Sequence, residues 1–537
     1  MHLARLSSLK RGRTADLDKK MARTEAVPTK NAALRRKAMK SRKYVYIGAA
    51  AVVAAIAFAI PGVKSLADSN SSRNPVFAVD PSWPQPLPAP VGTDGVAHTW
   101  VQGEVAGNCI DQRDNVYTFN RGWEVGVTIN GVLQGNESGA INGNDATAGG
   151  AIPSPPVVAF DTDGNVVAGW GNPTLIQTGA DYGYAAYMPH GAHGCYVDYQ
   201  GYVWVGGNGD GIVQKYNPAT ANVQGATAMY VTQIGTKGEC DTTTPPAPGA
   251  NPFTSCSETT DANTSHTLLN EPPDMAVDPL PDPVTGTRGS VYIADGYGNH
   301  RIVVYTTADG GQTYTYNRQW GTTCMINGVP SNSQACPAGT FGATGGGHPH
   351  CTVLGNDGNV YACDRPNSRI QVFDRSCGGL STADNPQPLC LPKKIINIGL
   401  NAGQTPPSNV PVVGNNAFQS VTPENAAAIL GSLTTRASDI DFWPNVDYLA
   451  TKSPTSQNVI VDVDLNNDNV WLIDKATATV FDALGVCGII PCPGHNAGHF
   501  AYSHTAAVDS KGNIYVAETI TGRRIQKFVP AKSSHGY

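Results

Sequence analysis

Three histidines stand at one point of a repeated unit: His193 in AHGCYVDYQGYVWV, His350 in PHCTVLGNDGNVYACDR and His504 in SHTAAVDSKGNIYVAET. A neutral imidazole binds a metal through a ring nitrogen, and three of them leave a tetrahedral zinc ion one open position for water or a substrate oxygen. A lone histidine opening a strand is usually structural, so the weight lies in the repetition, each histidine-bearing unit being followed by one without. A second shared point, the end of the next strand, carries Arg121 (NRG), Tyr297 (ADGYGNHR) and Arg365 (CDRPNSR). A phenol is a poor base at neutral pH, its free pKa being about 10. Neighbouring guanidinium groups favour its charged form and can also clamp a substrate carboxylate. Together the six residues describe chemistry that polarises an oxygen and moves a proton. Read as bland residues, the two arginines would only satisfy strand ends and the tyrosine would only pack.

The elements that must position them follow from the same strings. Each histidine opens a short apolar strand, then comes a turn (YQG, NDG, SKG) and a second strand rich in Val, Ile and Tyr, which is the pattern of a hairpin. Such a unit can be traced six times, starting near Val105, His193, Pro272, His350, Ser438 and His504. Short strands with regular turns in this number predict an all-β fold, a six-bladed β-propeller. The start of an inner strand and the end of its neighbour emerge on one face, so both sets of residues look into one mouth of the central channel. The sixth unit stops at RRIQKFVP, two strands short of the others, and NPVFAVDPSW near the N-terminus is a strand without a hairpin partner. Pairing the two closes the ring and removes an exposed edge.

Composition agrees with one large repeat-built domain, residues 68–537, behind an N-terminal segment, residues 1–67. The first 43 residues carry 14 Lys or Arg against Asp16, Asp18 and Glu25, and an apolar run follows at 44–60. From Met39 this reads as a secretory signal cleaved before Asp68; the alternative is an uncleaved anchor, since about 17 apolar residues lie at the lower limit for a spanning helix. Either way the bulk of the chain is expected to be exported, periplasmic or secreted, with membrane contact only through that segment. Residues 68–537 hold 21 basic and 39 acidic residues, a formal charge of about −18, which argues against nucleic acid as a partner. All 12 cysteines follow the signal, and an even count in an oxidising compartment reads as disulfides. The close pairs are Cys240 with Cys256, Cys324 with Cys336, Cys377 with Cys390 and Cys487 with Cys492, while Cys351 and Cys363 lie symmetrically about the Asp357 turn.

These strings resemble the NHL-repeat propellers, among them a bacterial six-bladed group sharing VDPSWP, GGNG, ADGYGN, CDR and SKGNIY. More distantly they resemble the peptidyl-alpha-hydroxyglycine alpha-amidating lyase core, over roughly residues 75 to 530. The resemblance implies zinc held by His193, His350 and His504, with Tyr297, Arg121 and Arg365 as the catalytic side chains. It implies carbon–nitrogen cleavage of a carbinolamide, giving an amide and an aldehyde such as glyoxylate. Two departures stand out. The family's structural calcium takes a carboxylate directly after the third histidine, where this chain has Thr505, which argues against calcium there and leaves carbonyls near Asn108 and Cys195 as ligands. Tyr502 replaces a methionine of the family two residues before that histidine.

Several residues compete for these roles. His190 in MPHG rivals His193, but His193 and His504 share a five-residue spacing to Asp198 and Asp509, which favours His193. His300 and His348 are read as rim residues. The string DVDLNNDN (462–469) hints at a calcium loop but lacks the Gly and distal Glu of that motif, so a polar turn is expected. The insertions at 135–155, 236–268 and 322–347 are read as lids or decoration of one face. The leading function is a zinc-dependent lyase-like or hydrolase-like enzyme acting on a small molecule or peptide. The opposing class is a non-catalytic propeller that binds a protein or glycan in the cell envelope. A calcium lactonase is the third, and it requires carboxylate and Asn ligands where the even units here carry His.

Overall fold

A computed structural model of the chain describes residues 76–531 apart from 92–94, 98, 122–126, 130–131, 135–150, 171–188, 190, 219–228, 243–255, 257–261, 345–346, 399–411, 414–435, 444–456 and 488–489. The basic segment, the apolar run at 44–60, the cleavage point and His190 therefore lie outside the described residues.

Six sheets, each with four antiparallel strands, form the blades of the propeller, and blade 4 adds the short parallel strand Val412–Val413 at its edge. Their inner strands are Val105–Ile110, Ala192–Val197, Asp274–Val277, Cys351–Leu354, Asp439–Trp443 and Ser503–Val508, in blades 1 to 6. The hairpins form where expected because an aspartate at the end of the inner strand ties the turn to itself. Oδ1 of Asp111, Asp198 and Asp509 accepts the backbone N–H of Asn115, Tyr202 and Asn513 at 2.8, 3.0 and 2.8 Å, which is the local bonding that makes Asp a turn residue.

Alternation along each strand then builds the contacts between blades. In the second strand of blade 3, Val291 and Ile293 pack with Trp204 and Val213 of blade 2, while Tyr292 and Ala294 pack with Val360 and Ala362 of blade 4. Every blade is thus a wall for two cores, each buried aliphatic side chain contributing about 1.5–3 kcal/mol. Closure follows the expected route: Val76–Val79 lies antiparallel to Arg524–Ala531, with Val76 opposite Ala531 and Val79 opposite Phe528. Blade 6 is one strand short of four, not two, since Ser503–Val508, Ile514–Glu518 and Arg524–Ala531 supply three.

Cys240–Cys256, Cys324–Cys336, Cys351–Cys363 and Cys377–Cys390 form as the spacing predicts. Cys351 lies directly opposite Cys363 in the ladder. Cys109 and Cys195, which sequence proximity left unassigned, join the inner strands of blades 1 and 2. Cys492 is disulfide-bonded, and the side chain of its expected partner Cys487 lies outside the described residues.

Candidate metal centre

The three histidines reach the axis through irregularities in the ladders. The register slips between Ala192 and Cys195 in blade 2 and between Ser503 and Thr505 in blade 6. Such bulges re-aim a side chain out of the regular alternation. His350 stands just ahead of its strand, with its N–H donated to the Cys363 carbonyl at 2.8 Å. Gly194, next to His193, permits the approach of blade 3: its N–H reaches the Pro273 carbonyl at 2.7 Å, and a Cβ there would fall 2.5 Å from that oxygen.

All three rings are buried, and one ligand nitrogen from each lies within 4.8 Å of the others. Their other nitrogens follow a single rule. Nδ1 of His193 meets the Pro273 carbonyl at 3.0 Å, Nδ1 of His504 meets the Ala106 carbonyl at 2.6 Å, and Nδ1 of His350 meets the Ser438 carbonyl. Ala106, Pro273 and Ser438 occupy the matching place in blades 1, 3 and 5. A carbonyl only accepts, so Nδ1 carries the proton and the Nε2 lone pair is left for the axis. Burial is the first cause holding all three rings below the usual imidazole range, His504 down to about 3. For His193 the neighbouring His504 comes next, for His350 it is Arg365, and for His504 it is Arg121. The rings are therefore neutral at neutral pH, as ligation requires. Three converging neutral Nε2 atoms with their outer nitrogens engaged fit zinc or a related first-row divalent ion.

Tyr297 follows the second strand of blade 3 through Gly296, where any side chain would collide with the Pro349 carbonyl. Its phenol oxygen lies 3.1 Å from His350 Nε2 and 3.3 Å from His193 Nε2. Arg365 donates from Nη1 to that oxygen at 3.4 Å, and its guanidinium lies 5.6 Å from the phenol ring centre. These five residues come together as expected. Arg121 is placed differently: its Nε donates to the Ala192 carbonyl at 2.9 Å, Nη2 to Asn208 Oδ1 at 3.2 Å, and Nη1 pairs with Glu104 at 3.3 Å. It braces the strand carrying His193, and no hydrogen bond joins it to Tyr297. Glu104 escaped the sequence reading, although it stands opposite Arg121 when the hairpin is folded about Asp111.

Below the imidazoles an axial cavity of about 190 Å³ is lined by Asn108, Asp274, Thr352, Asp439, Asp441 and Thr505, among others. Burial pushes the Asp274 and Asp441 carboxyls up to about 7, and holds that of Asp439 well above the usual carboxylate range, the charge of Asp274 adding to the last. Thr505, where the resembled family has a carboxylate, donates its hydroxyl to Asn108 Oδ1 at 2.6 Å. The carboxylates enter from odd blades instead, a feature visible in the sequence as the Asp opening DMAV and the two in DIDFW. His300 and His348 are not rim residues: both are buried, and their rings stack 4.3 Å apart with 10° between the planes. Their positions beside Gly and Pro suggested a loop edge, but the DGYGN and HPH segments press against each other.

The NHL repeat family matches residues 347–373, the hairpin that His350 opens. No curated protein sequence matches the chain. Among solved structures, a streptogramin B lyase is 12% identical, with 80% of this chain and 93% of that one covered and a TM-score of 0.33. A gluconolactonase from Xanthomonas campestris is 10% identical, covering 85% and 100%, with a TM-score of 0.34. A catalytically inactive virginiamycin B lyase from Staphylococcus aureus, with quinupristin, is 12% identical, covering 86% and 90%, with a TM-score of 0.33. The fold rests on the six sheets themselves: the chain is an all-β six-bladed propeller with one stretch matching the NHL repeat and a three-histidine cluster able to hold a metal ion.

Proposed function

We propose that this chain is an exported zinc-dependent lyase that cleaves a carbon–nitrogen bond in a carbinolamide-type substrate. The observation that carries the reading is the phenol oxygen of Tyr297, held within 3.3 Å of two Nε2 atoms and beside the Arg365 guanidinium. Zinc at His193, His350 and His504 would supply Lewis acidity toward a substrate oxygen. Tyr297 acts as the phenolate paired with the Arg365 guanidinium; its oxygen takes the hydroxyl proton and becomes neutral, the carbon–oxygen bond becomes the aldehyde carbonyl as the carbon–nitrogen bond breaks, and the proton passes to the departing amide nitrogen. The same guanidinium is placed to orient a substrate carboxylate. Arg121, locked to Glu104, positions the His193 strand.

The test is release of glyoxylate from alpha-hydroxyhippurate by zinc-loaded protein, with metal content followed by mass spectrometry. Tyr297→Phe should lower the rate about 10²-fold or more with zinc content unchanged, whereas His193→Ala, His350→Ala and His504→Ala should each lose the metal. Glyoxylate release no greater than that of metal-free protein would discard the lyase and leave the binding propeller as the better reading.

A further inference from the structure

In blades 3, 4 and 6 the second strand ends on an acid that lies in register with an arginine opening the third: Asp295 with Arg301, Asp364 with Arg369, Glu518 with Arg524. The guanidinium Nε atoms sit 2.8, 2.7 and 2.7 Å from the carboxylates. In blade 5 the same register joins Asp464 to Asn469. Two residues earlier, where the sister blades have Ile293, Ala362 and Val516, this blade has Asp462. The side-chain charge at this point of the repeat thus changes from zero to minus two.

The hydrogen bonds to Asp464 come from neutral donors, the Arg436 backbone N–H at 3.1 Å, the Asn467 amide at 2.6 Å and the Trp471 indole at 3.1 Å, and the Arg436 guanidinium is near enough to interact with its charge. No hydrogen bond reaches either carboxylate oxygen of Asp462, the Oδ1 or Nδ2 of Asn469, or the Oγ of Ser438, and all three side chains are fully buried. The ladder sets them on one face. Asp439 pairs with Val463, so Ser438 falls opposite Asp464, and Asn469 lies opposite it on the other side. Directly opposed residues project together, and Asp462 shares their face two positions along. Ile440 and Trp471 of this face pack with Ile370 and Ile396 of blade 4.

We infer that blade 5 holds a hard divalent cation of the calcium type between the carboxylates of Asp462 and Asp464, the amide oxygen of Asn469 and the hydroxyl of Ser438, in the place of the sister blades' guanidinium. Asp462 is a buried carboxylate with no hydrogen-bond donor and only like charges beside it, which is costly, and the cation removes that cost. The donors are all oxygen, and include the carboxylate and Asn carbonyl groups that calcium prefers, whereas zinc and copper favour nitrogen and sulfur. Burial first, then the charges of Asp464 and Asp439, pushes the Asp462 carboxyl well above the carboxylate range, so a proton is the competing occupant. The site shares Ser438 with the metal centre, where the backbone carbonyl of that residue accepts from His350 Nδ1, but it uses none of the three imidazoles.

The test measures calcium and zinc together in the full mature protein, and the melting temperature with calcium or with a calcium-selective chelator. The wild type should hold about one calcium per chain and melt lower in chelator, the difference growing with the logarithm of free calcium. His350→Ala should keep the calcium. Asp462→Val combined with Asn469→Arg, which restores the blade 6 pattern, should lose the calcium and melt alike in both conditions. Wild type without bound calcium and with a melting temperature indifferent to chelator would overturn the inference and assign Asp462 a proton. Should the double variant fail to fold, the wild-type measurements alone decide. A double variant that keeps its calcium would overturn the placement.

Discussion

The even and odd blades share one backbone and divide the chemistry. Blades 2, 4 and 6 bring His193, His350 and His504 to the axis, and blades 1, 3 and 5 bring the Ala106, Pro273 and Ser438 carbonyls that accept from their Nδ1 atoms. The odd blades also bring the carboxyls, Asp274 from blade 3 and Asp439 and Asp441 from blade 5. The propeller is therefore six-fold in fold and three-fold in function. Each imidazole depends on the next blade for its tautomer, and the partner that fixes it is in every case a backbone carbonyl.

The largest effect should come from cutting the covalent tie between the two classes. Cys109–Cys195 joins blade 1 to blade 2 across 86 residues, whereas Cys351–Cys363 closes 12 residues inside blade 4. In the chain-entropy account a loop of the first length contributes about 4–5 kcal/mol and one of the second about 3 kcal/mol. Replacing Cys109 and Cys195 by Ala should lower the guanidinium midpoint further than replacing Cys351 and Cys363. An equal or smaller loss would mean that blade 1 and blade 2 are already held by packing, and the comparison would lose its mechanical half.

The even blades were the legible ones. His193, His350 and His504 sit next to strands whose period-2 pattern and Asp-tied turns are local, so their common place in the repeat can be read without the fold. Tyr297 and Arg365 follow from the same phase. Glu104 was legible within one unit, since folding the hairpin about Asp111 sets it opposite Arg121, and Asp274, Asp439 and Asp441 stand in plain view in DMAV and DIDFW, but the role of these three is set by what the neighbouring blades bury against them, and no spacing within one unit encodes that. The Cys109–Cys195 bridge was hidden for the same reason, its partners being close in space and a whole blade apart in sequence. His300 and His348 misled because Gly and Pro around them mark a loop, and a loop packed between two blades is as buried as a strand.

A smaller effect tests the carbonyl support. Gly194→Ala sets a methyl group 2.5 Å from the Pro273 carbonyl and 2.6 Å from Asp274 Oδ1, so that carbonyl must leave its place 3.0 Å from His193 Nδ1. Loss of an outer-shell partner weakens metal binding by about 10- to 100-fold. Zinc affinity by chelator competition should fall by that amount in a protein that keeps its far-ultraviolet spectrum. An unchanged affinity would show that His193 is oriented by its burial alone.

The smallest effect distinguishes the two classes by the sign of their pH dependence, measured on metal-free protein. The even-blade imidazoles have folded pKa values below the unfolded value of about 6.5, His504 at about 3. Their neutral burial contributes fully above pH 6.5, and that contribution is lost as the pH falls from 6.5 toward 3, because the unfolded chain then binds protons the folded one refuses. The odd-blade carboxyls are opposite. Burial pushes Asp274 and Asp441 up to about 7 in the fold against an ordinary value of 3.8, so their contribution is full below 3.8 and is lost as the pH rises through 7. Each titrating group should move stability by about 1–2 kcal/mol over two pH units, the imidazoles between 7 and 5 and the carboxyls between 6 and 8. Because the two classes oppose each other between 3.8 and 6.5, substitution is needed to separate them. Asp441→Asn should remove a falling contribution across pH 3.8 to 7, flattening the decline above pH 6 and steepening the rise with pH on the acid side, while His504→Ala should remove a rising contribution below pH 6.5 and leave the decline above it unchanged. Guanidinium midpoints across pH 5 to 8 in the presence of chelator read both. A variant pair that changes the acid-side slope in the same direction would show that the axial groups titrate as one cluster and that the division between even and odd blades does not extend to their protons.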